Sequence, residues 1–344
     1  MLACVLEGGT DDDARPGVPS PDPVPVSVFL AVRDEEHDLE ASIDRIRAQD
    51  HPGDLEVVVA VGPSSDATWD VATDLARRHP ALTVVENPAG TTPQGLNAAV
   101  RAARHDVLVR VDGHAFVPTD YVRRVVALLQ STGAANVGGR MVPHGSGPVS
   151  SAVAVVMGSR FGIGGGAFHV GGRPGPQPTV YLGAFRRGPL EEVGGYDEYF
   201  VRAQDWELNH RLRAAGHEVW FDPSIAVGYQ PRSSWRAFAR QQWRTGGWRR
   251  RVIERYPSTA SPRYLAPPTV VVAVAAGTVA AAAAPFTSAW LALGLLAPVG
   301  YAGAVAVVGL HEGRRAPGPV RRRVPGAMAL MHLAWGAGFL RKAR

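Results

Sequence analysis

The chain has 344 residues, a formal net charge of +5 and an apolar share of 46%, enough for one large domain or two smaller ones. Its apolar residues are unevenly spread: 265–310 holds almost no charge, whereas 230–256 and 311–323 are rich in Arg. Arginine clusters that flank apolar runs fit anionic lipid headgroups better than nucleic acid, and the single cysteine, Cys4, excludes an intrachain disulfide and a Cys-based zinc site.

Residues 1–25, with Asp11, Asp12, Asp13 and several prolines, read as a disordered tail. They lack the charged start and long apolar core of a signal peptide. Val26–Val32 is a short apolar run and reads as a buried strand, followed by a helix over Asp34–Ala48 with Leu39, Ile43 and Ile46 at helical spacing. Leu55–Val61 is a second strand, ending in the turn Gly62–Asp66, and a helix follows to about Arg78. A third strand at Leu82–Glu86, a helix at Gln94–Ala103 and a fourth strand at Asp106–Val111 complete the pattern. Strands alternating with helices predict an α/β fold with a parallel, doubly wound sheet. Ligands gather at the carboxyl ends of the strands of such a sheet. Arg33-Asp34-Glu35, Ser64-Ser65-Asp66 and Asp112-Gly113-His114 all stand there.

The middle of the chain is less regular. Phe161–Gly172 is glycine-rich and reads as a mobile loop; no strand, G-x-G-x-x-G and helix surround it, so a dinucleotide-binding reading is weak. A helix is expected from about Ala203 to Ala215, and a basic, Trp-rich helix over Trp235–Arg251. Beyond Tyr264 the chain is apolar. Leu265–Ala284 and Ser288–Leu310 each supply the roughly 20 apolar residues that a spanning helix needs, and the short break between them predicts a hairpin. Arg249–Arg251 and Arg255 precede the pair; Arg314, Arg315 and Arg321–Arg323 follow it. Basic flanks on both sides predict that both ends are cytoplasmic. The shorter run Val324–Leu340, with His332 and Trp335 inside it and Arg341, Lys342 and Arg344 after it, is expected to be re-entrant or interfacial.

Three groups of residues are candidates for chemistry. Asp112, with His114 two residues on, can grip a divalent ion against a diphosphate; a plain Asp-Gly turn is the structural alternative. Asp205, in Gln204-Asp205-Trp206-Glu207 at a helix start, can act as a general base on an acceptor hydroxyl; complementing the helix dipole is the alternative. Glu207 points away from Asp205 on a helix and reads as a solvated or hydrogen-bonding carboxylate. Gln241, Arg244 and Trp248 share one helical face that suits a pocket lining, while headgroup contact suits Arg249–Arg251.

The ordered segments VSVFLAVRDEEHDLEASI, VVVAVGPSSDAT, GLNAAVRAARHDVLVRVDGHA, YLGAFRRGPLEEVGGYDE, RAQDWELNHRLRAAG and RQQWRTGG resemble those of family 2 glycosyltransferases. More narrowly the chain is similar to the ExoA-like, succinoglycan-biosynthesis group, which HLAWGAGFL in the apolar tail also fits. The resemblance implies a GT-A fold (a doubly wound mixed sheet of the nucleotide-diphospho-sugar transferases) over 26–256 and a membrane-associated region over 257–344. It places Asp112 at the first acidic position of a D-x-D metal motif, with His114 at the second, and so implies Mn²⁺ or Mg²⁺; imidazole suits Mn²⁺ better. It makes Asp205 the catalytic base, with Gln204 beside it. It implies donor-binding roles for Val32, Arg33, Glu35, Asp66, Asn97 and Arg110. Gln241 and Arg244 match part of a Q-x-x-R-W motif in which Thr245 replaces Trp, and with Gln204 and Trp248 they are expected at the acceptor or the diphosphate. Val61 and Gly62 stand where the family has paired aspartates, one of which reads a uracil ring, and this departure weighs against UDP as the donor.

The implied activity is an inverting transfer of a sugar from a nucleotide-diphosphate donor to a lipid-linked saccharide in cell-surface or exopolysaccharide synthesis, at the cytoplasmic face of the cell membrane, with membrane lipids as further partners and no nucleic acid. Two apolar spans and Thr245 favour single-sugar addition over a processive polysaccharide synthase. A polyprenyl-phosphate sugar synthase remains open, as does a non-enzymatic membrane-anchored nucleotide-binding scaffold.

Overall fold

The computed structural model describes residues 23–341. The tail expected over 1–25 lies outside the described residues up to position 22, as do Lys342 and Arg344. The chain divides into two compact units, one built from the residues up to Met141 with Gly172–Gly228, the other from Val142–Gly171 with Tyr229–Arg344.

The first unit is organised by a sheet. Its strands are β1 (Val26–Val32), β2 (Leu55–Val61), β3 (Leu82–Glu86), β4 (Val107–Arg110), β5 (Asn136–Pro143), β6 (Gly175–Pro176), β7 (Tyr181–Arg186) and β8 (Val219–Tyr229). The helices between them are α1 (Leu39–Arg47), α2 (Thr68–Arg78), α3 (Thr92–Ala102), α4 (Tyr121–Thr132), α5 (Pro148–Met157), the single turn α6 (Ala167–Val170), α7 (Arg187–Glu192) and α8 (Gln204–Ala214); of these, α5 and α6 belong to the second unit. The strand order is β3-β2-β1-β4-β7-β5-β8-β6. The first four strands are parallel, as the strand–helix alternation predicts. β7 then pairs antiparallel with both β4 and β5, which makes the sheet mixed.

Apolar runs become central strands here because both faces are covered. Val28, Phe29 and Leu30 of β1 and Val58, Val59 and Ala60 of β2 are at most 1% exposed. α1 lays Leu39, Ile43 and Ile46 on the sheet, and α4 lays Tyr121, Val122, Val125, Val126 and Leu129. The consequence for function is positional. The carboxyl ends of β1, β2 and β4, at Val32, Val61 and Arg110, open at one edge of the parallel half.

The second unit is helical: α9 (Trp235–Arg255), α10 (Pro262–Ala283), α11 (Leu296–Glu312), α12 (Gly318–Arg321) and α13 (Val324–Leu340) join α5 and α6. The break expected between two apolar runs is a 3₁₀ turn at Ala284–Phe286, and a further 3₁₀ stretch, Ala289–Leu295, leads into α11. Two segments, Pro262–Phe286 and Ala289–Arg315, are long and apolar enough to cross a membrane, and only 6% of each apolar window is buried in the protein. A core hairpin of a water-soluble protein would be covered; these helices present apolar side chains outward. Their backbones meet closely where Gly277 faces the Gly294 carbonyl.

α13 behaves differently. It packs along α9 and α10, with Val324, Ala327, Met328 and Met331 buried. Three glycines permit the crossing. A Cβ added at Gly246 would stand 2.0 Å from the Trp335 carbonyl oxygen, one at Gly338 2.0 Å from that of Trp243, and one at Gly336 2.4 Å from that of Pro267. Backbone cannot step aside as a side chain can. Overpacking of this kind costs about 1–3 kcal/mol, so Gly338→Val should lower the thermal unfolding temperature of the detergent-solubilised protein by several degrees. Gly326→Ala, on the same helix where an added Cβ meets nothing within 4 Å, should leave it unchanged or higher.

Candidate active site

Two loops are stitched together at the ends of β1 and β2. Asp34 sits in the left-handed region at φ 53°, a conformation that Asp tolerates better than most residues. It is held there by Ser64 and Ser65: the Asp34 N–H donates to Ser64 Oγ at 3.1 Å, and the Ser65 N–H donates to Asp34 Oδ1 at 2.7 Å. The Glu35 N–H donates to Thr68 Oγ1 at 2.8 Å, and the Glu36 N–H donates to Asp66 Oδ2 at 3.2 Å. Asp66 also accepts from the Thr68 hydroxyl and N–H. The Thr68 hydroxyl above all holds its carboxyl below the usual carboxylate range. Asp66 therefore shapes the rim of the cleft. Arg33 pairs with Asp34 at 3.5 Å, and Val32 is buried beneath both loops.

The Asp-Gly-His tripeptide follows β4. Gly113 is required by close approach, since a Cβ there would lie 2.7 Å from Val32 Cγ1. His114 Nδ1 is 2.8 Å from Glu35 Oε1, which ties this loop to the one after β1.

The centre of the site is Arg110, the last residue of β4. Its side chain is 4% exposed and carries two carboxylates: Nη2 donates to Asp112 Oδ1 at 2.9 Å, and Nη1 donates to Asp205 Oδ1. Asp205 reaches it from the first turn of α8, which the chain enters through Ala203 at φ 62°. Burial pushes the Asp205 carboxyl above its usual range; Arg110 opposes that shift and Asp112 adds to it. Burial disfavours the charge on Arg110, but Asp205 and Asp112 hold its proton well above the ordinary range. Tyr121 and Tyr196 lie beside the same guanidinium, and burial raises both phenols.

The loop Gly194–Tyr196 closes this side. Gly194 and Gly195 have φ of 79° and 67°. Asn97 fastens the loop to α3: its Nδ2 donates to the Tyr196 carbonyl at 2.8 Å and its Oδ1 accepts from the Tyr196 N–H at 2.9 Å. Glu207 is fully buried, which decides between the solvated and the hydrogen-bonding carboxylate in favour of the second. Arg211 donates to both of its oxygens at 2.7 Å and, through the same guanidinium, to the Val193 and Gly195 carbonyls. It braces the loop that carries Tyr196. Neither brace is visible without the fold, because the partners are loop carbonyls with no sequence signature.

In the first unit, Asp112 and Asp205 meet on Arg110 and His114 meets Glu35, with Gln204 half-buried beside Asp205 at the start of α8. Gln241, Arg244 and Trp248 lie on α9 in the second unit. There the Gln241 amide donates to the Tyr229 hydroxyl at 3.1 Å, Arg244 is exposed, and the Arg251 guanidinium lies 4.4 Å from the Trp248 ring centre. A cavity of about 180 Å³ lined by Arg47, Leu55, Val57, His79, Ala81 and Leu82 opens at the amino ends of β2 and β3, away from these groups.

Among the described residues no three His, Cys, Asp or Glu side chains converge as a metal cluster. Asp112 and His114 nevertheless fit a divalent ion of the kind that takes one or two protein donors and completes its sphere with substrate phosphates. A carboxylate with an imidazole is also a donor set that Mn²⁺ accepts.

The model of the Glycosyltransferase like family 2 matches residues 21–247. The chain is a member of that family. The glycosyltransferase is 30% identical over 321 residues to the succinoglycan biosynthesis protein ExoA of Rhizobium meliloti, covering 92% of this chain and 94% of the relative. It is 24% identical to the dolichyl N-acetyl-alpha-D-glucosaminyl phosphate 3-beta-D-2,3-diacetamido-2,3-dideoxy-beta-D-glucuronosyltransferase of Methanococcus voltae, over 63% of this chain and 70% of the relative. Its fold is shared with the mannosyltransferase PcManGT from Pyrobaculum calidifontis, solved with GDP-Man and Mn²⁺, at a TM-score of 0.59 and 20% identity over 94% and 89% of the two chains. The mixed sheet is thus that of the GT-A glycosyltransferases.

Replacing Arg110 by Met strands two carboxylates against each other. Breaking a buried ion pair costs about 3–5 kcal/mol; with Asp112 and Asp205 28% and 33% exposed, we expect the lower end. With Asp205 read as the base proposed below, activity requires its ionised form. Losing Arg110 raises the Asp205 carboxyl further, so the acid limb of kcat/KM should move to higher pH in Arg110→Met and return toward wild type in Arg110→Lys. A pH–rate profile of the three proteins checks this.

Proposed function

We propose that this glycosyltransferase moves a sugar from a nucleotide-diphosphate donor to a lipid-linked saccharide by a single inverting displacement. The observation that carries the reading is the pairing of Asp112 and Asp205 on one buried guanidinium. It sets a carboxylate suited to the donor's diphosphate next to one suited to the acceptor's hydroxyl. The relatives support the substrate classes: one is named for succinoglycan biosynthesis, the other for transfer to a dolichyl phosphate-linked sugar, and the fold neighbour holds a nucleotide sugar with Mn²⁺.

Asp112 and His114 would hold the divalent ion, Mn²⁺ or Mg²⁺. That ion offsets the charge that builds on the departing nucleoside diphosphate. Asp205 accepts the proton of the acceptor hydroxyl as its oxygen bonds to the anomeric carbon. The bond from that carbon to the diphosphate breaks on the opposite face, and its electron pair leaves with the nucleotide. Arg110 opposes the burial that raises the Asp205 carboxyl, and fixes its direction. Val32, Arg33 and Glu35, on the loop at the end of β1, suit contact with the donor's base and ribose. Asp66 and Asn97 keep the surrounding loops in shape. Gln204, Gln241, Arg244 and Trp248 suit the acceptor and the diphosphate. Positioning and leaving-group electrostatics supply most of the acceleration.

Both apolar segments are read as membrane spans, and their basic flanks place the two ends of the hairpin, and with them the chain that precedes it, on the cytoplasmic face, where nucleotide sugars are made.

A screen of nucleotide sugars with Mn²⁺, scored by donor hydrolysis and by transfer to lipid-linked acceptors, tests the whole reading. In the productive pair Asp205→Asn should lower kcat by about 10²–10⁴-fold and leave donor affinity near wild type. Near-wild-type turnover in a folded Asp205→Asn protein removes the base assignment, and full activity in excess chelator removes the metal. Transfer to a bare polyprenyl monophosphate would make the enzyme a polyprenyl-phosphate sugar synthase, and no hydrolysis or transfer with any donor would leave a nucleotide-binding scaffold.

A further inference from the structure

The second unit gathers cationic and aromatic side chains at the foot of its first apolar helix. α10 opens with Pro262, Arg263 and Tyr264. The Arg249 guanidinium, from α9, lies 4.1 Å from the centre of the Tyr264 ring. That of Arg263 lies 4.4 Å from the same ring and donates to the Tyr264 hydroxyl. Trp335 of α13 stacks on Tyr264 with ring centres 6.5 Å apart, and Phe339 stacks on Trp335 at 5.6 Å. His169, on the single turn α6, lies close enough to Arg263 to feel its charge and packs on Phe168 at 3.9 Å. Its Nδ1 is buried with no hydrogen-bond partner among the described residues.

Arg263 is exposed, and its guanidinium is held by the ring and hydroxyl of Tyr264. Burial holds the Arg249 guanidinium below its ordinary range, and the like charge of Arg263 adds to that effect. Burial, then Arg263, pushes the His169 imidazole down to about 3, so it is neutral at physiological pH and offers an N–H. Guanidinium groups on an aromatic platform, with a neutral imidazole beside them, match the oxygens of a phosphate. The surroundings say where that phosphate comes from. Arg263 begins a 22-residue apolar helix, and the Tyr264–Trp335–Phe339 stack is the kind of aromatic belt that marks the water–hydrocarbon boundary.

We propose that Arg249, Arg263, Tyr264 and His169 bind the phosphate of a polyprenyl lipid whose tail runs along the apolar helices α10 and α11. The proposal rests on the lipid-linked acceptor read above, and adds the place where its phosphate is held. In this role Phe161–Gly172, the glycine-rich segment that matched no nucleotide motif, brings His169 to the lipid.

The experiment uses the full chain in phosphatidylcholine nanodiscs, with a polyprenyl monophosphate as the probe and native mass spectrometry as the readout. Binding should saturate. It should weaken at least about tenfold in Arg263→Gln, as loss of a charge-assisted hydrogen bond implies, weaken in His169→Gln, and recover in part in Arg263→Lys. Polyprenol without phosphate should not bind, and neither equimolar phosphatidylglycerol nor equimolar inorganic phosphate should displace the probe. Unchanged binding in folded Arg263→Gln and His169→Gln overturns the proposal. Equal competition by phosphatidylglycerol would make the cluster a general headgroup belt, and equal competition by inorganic phosphate would make it a free-anion site; either overturns it too. Donor hydrolysis in the same discs separates the two levels. Hydrolysis that persists while no probe binds counts against this site alone, whereas efficient transfer to a soluble acceptor with no lipid present overturns the lipid-linked reading itself.

Discussion

A positive charge that water barely reaches must be answered by negative charge nearby, and the first unit is arranged around one such charge. Arg110 is 4% exposed at the end of a central strand, between strands whose middle residues are buried. Its two answers come from different parts of the chain: Asp112 two residues on, and Asp205 at the start of a helix 95 residues later. That shared debt fixes α8 against the end of β4. It also keeps two carboxylates close together that would otherwise repel, which is what a site needs if one is to face a diphosphate and the other an acceptor hydroxyl. The braces around it serve the same end. Glu207 with Arg211, and Asn97 with Tyr196, hold the loop that brings the Tyr196 ring to Arg110. Breaking a brace should therefore disturb the site at a distance, through the Gly194–Gly195 turn.

Much of this was legible in the residues. The four parallel strands announce themselves as short apolar runs separated by helical spacing, and each strand β1 to β3 falls on its expected span. Asp112 and Asp205 stand out as carboxylates at a strand end and a helix start. Less legible was what ties them together. A single Arg inside DVLVRV is unusual for a buried strand, and buried Arg is rarely unpaired. The sequence therefore signals that a partner exists, but its identity depends on strand order. The antiparallel half was also hidden, because β5, β7 and β8 are interrupted by glycine and proline and join the sheet out of sequence order. Of the two readings of Glu207 the hydrogen-bonding one holds; helical spacing shows that it points away from Asp205, but not that a half-buried Arg211 stands on that side.

The helical unit follows another logic. Its apolar helices α10 and α11 expose their side chains, while α13, of similar composition, is drawn inward against α9. Composition cannot separate the two cases. Glycine placement helps: Gly246, Gly336 and Gly338 sit where the backbone of α13 comes within contact distance of α9 and α10. The Thr245 that departs from the Q-x-x-R-W pattern directly precedes Gly246 in that crossing. The basic, aromatic face at the start of α10 brings two guanidinium groups onto one aromatic ring at the edge of the apolar surface.

The central claim is that Asp112 and Asp205 act as a pair because they share Arg110. A double-mutant cycle on unfolding free energy tests it most directly, using Asp112→Asn, Asp205→Asn and the double variant. After either single change one carboxylate still answers the guanidinium; after both, the buried charge is left alone. The double variant should therefore lose more stability than the two singles combined, by about 0.5–3 kcal/mol, the range found for residues in one ionic network. Repeating the cycle in Arg110→Met should shrink that excess to the share that comes from repulsion between the two carboxylates. Simple additivity in the Arg110 protein, with all variants folded, would contradict the account.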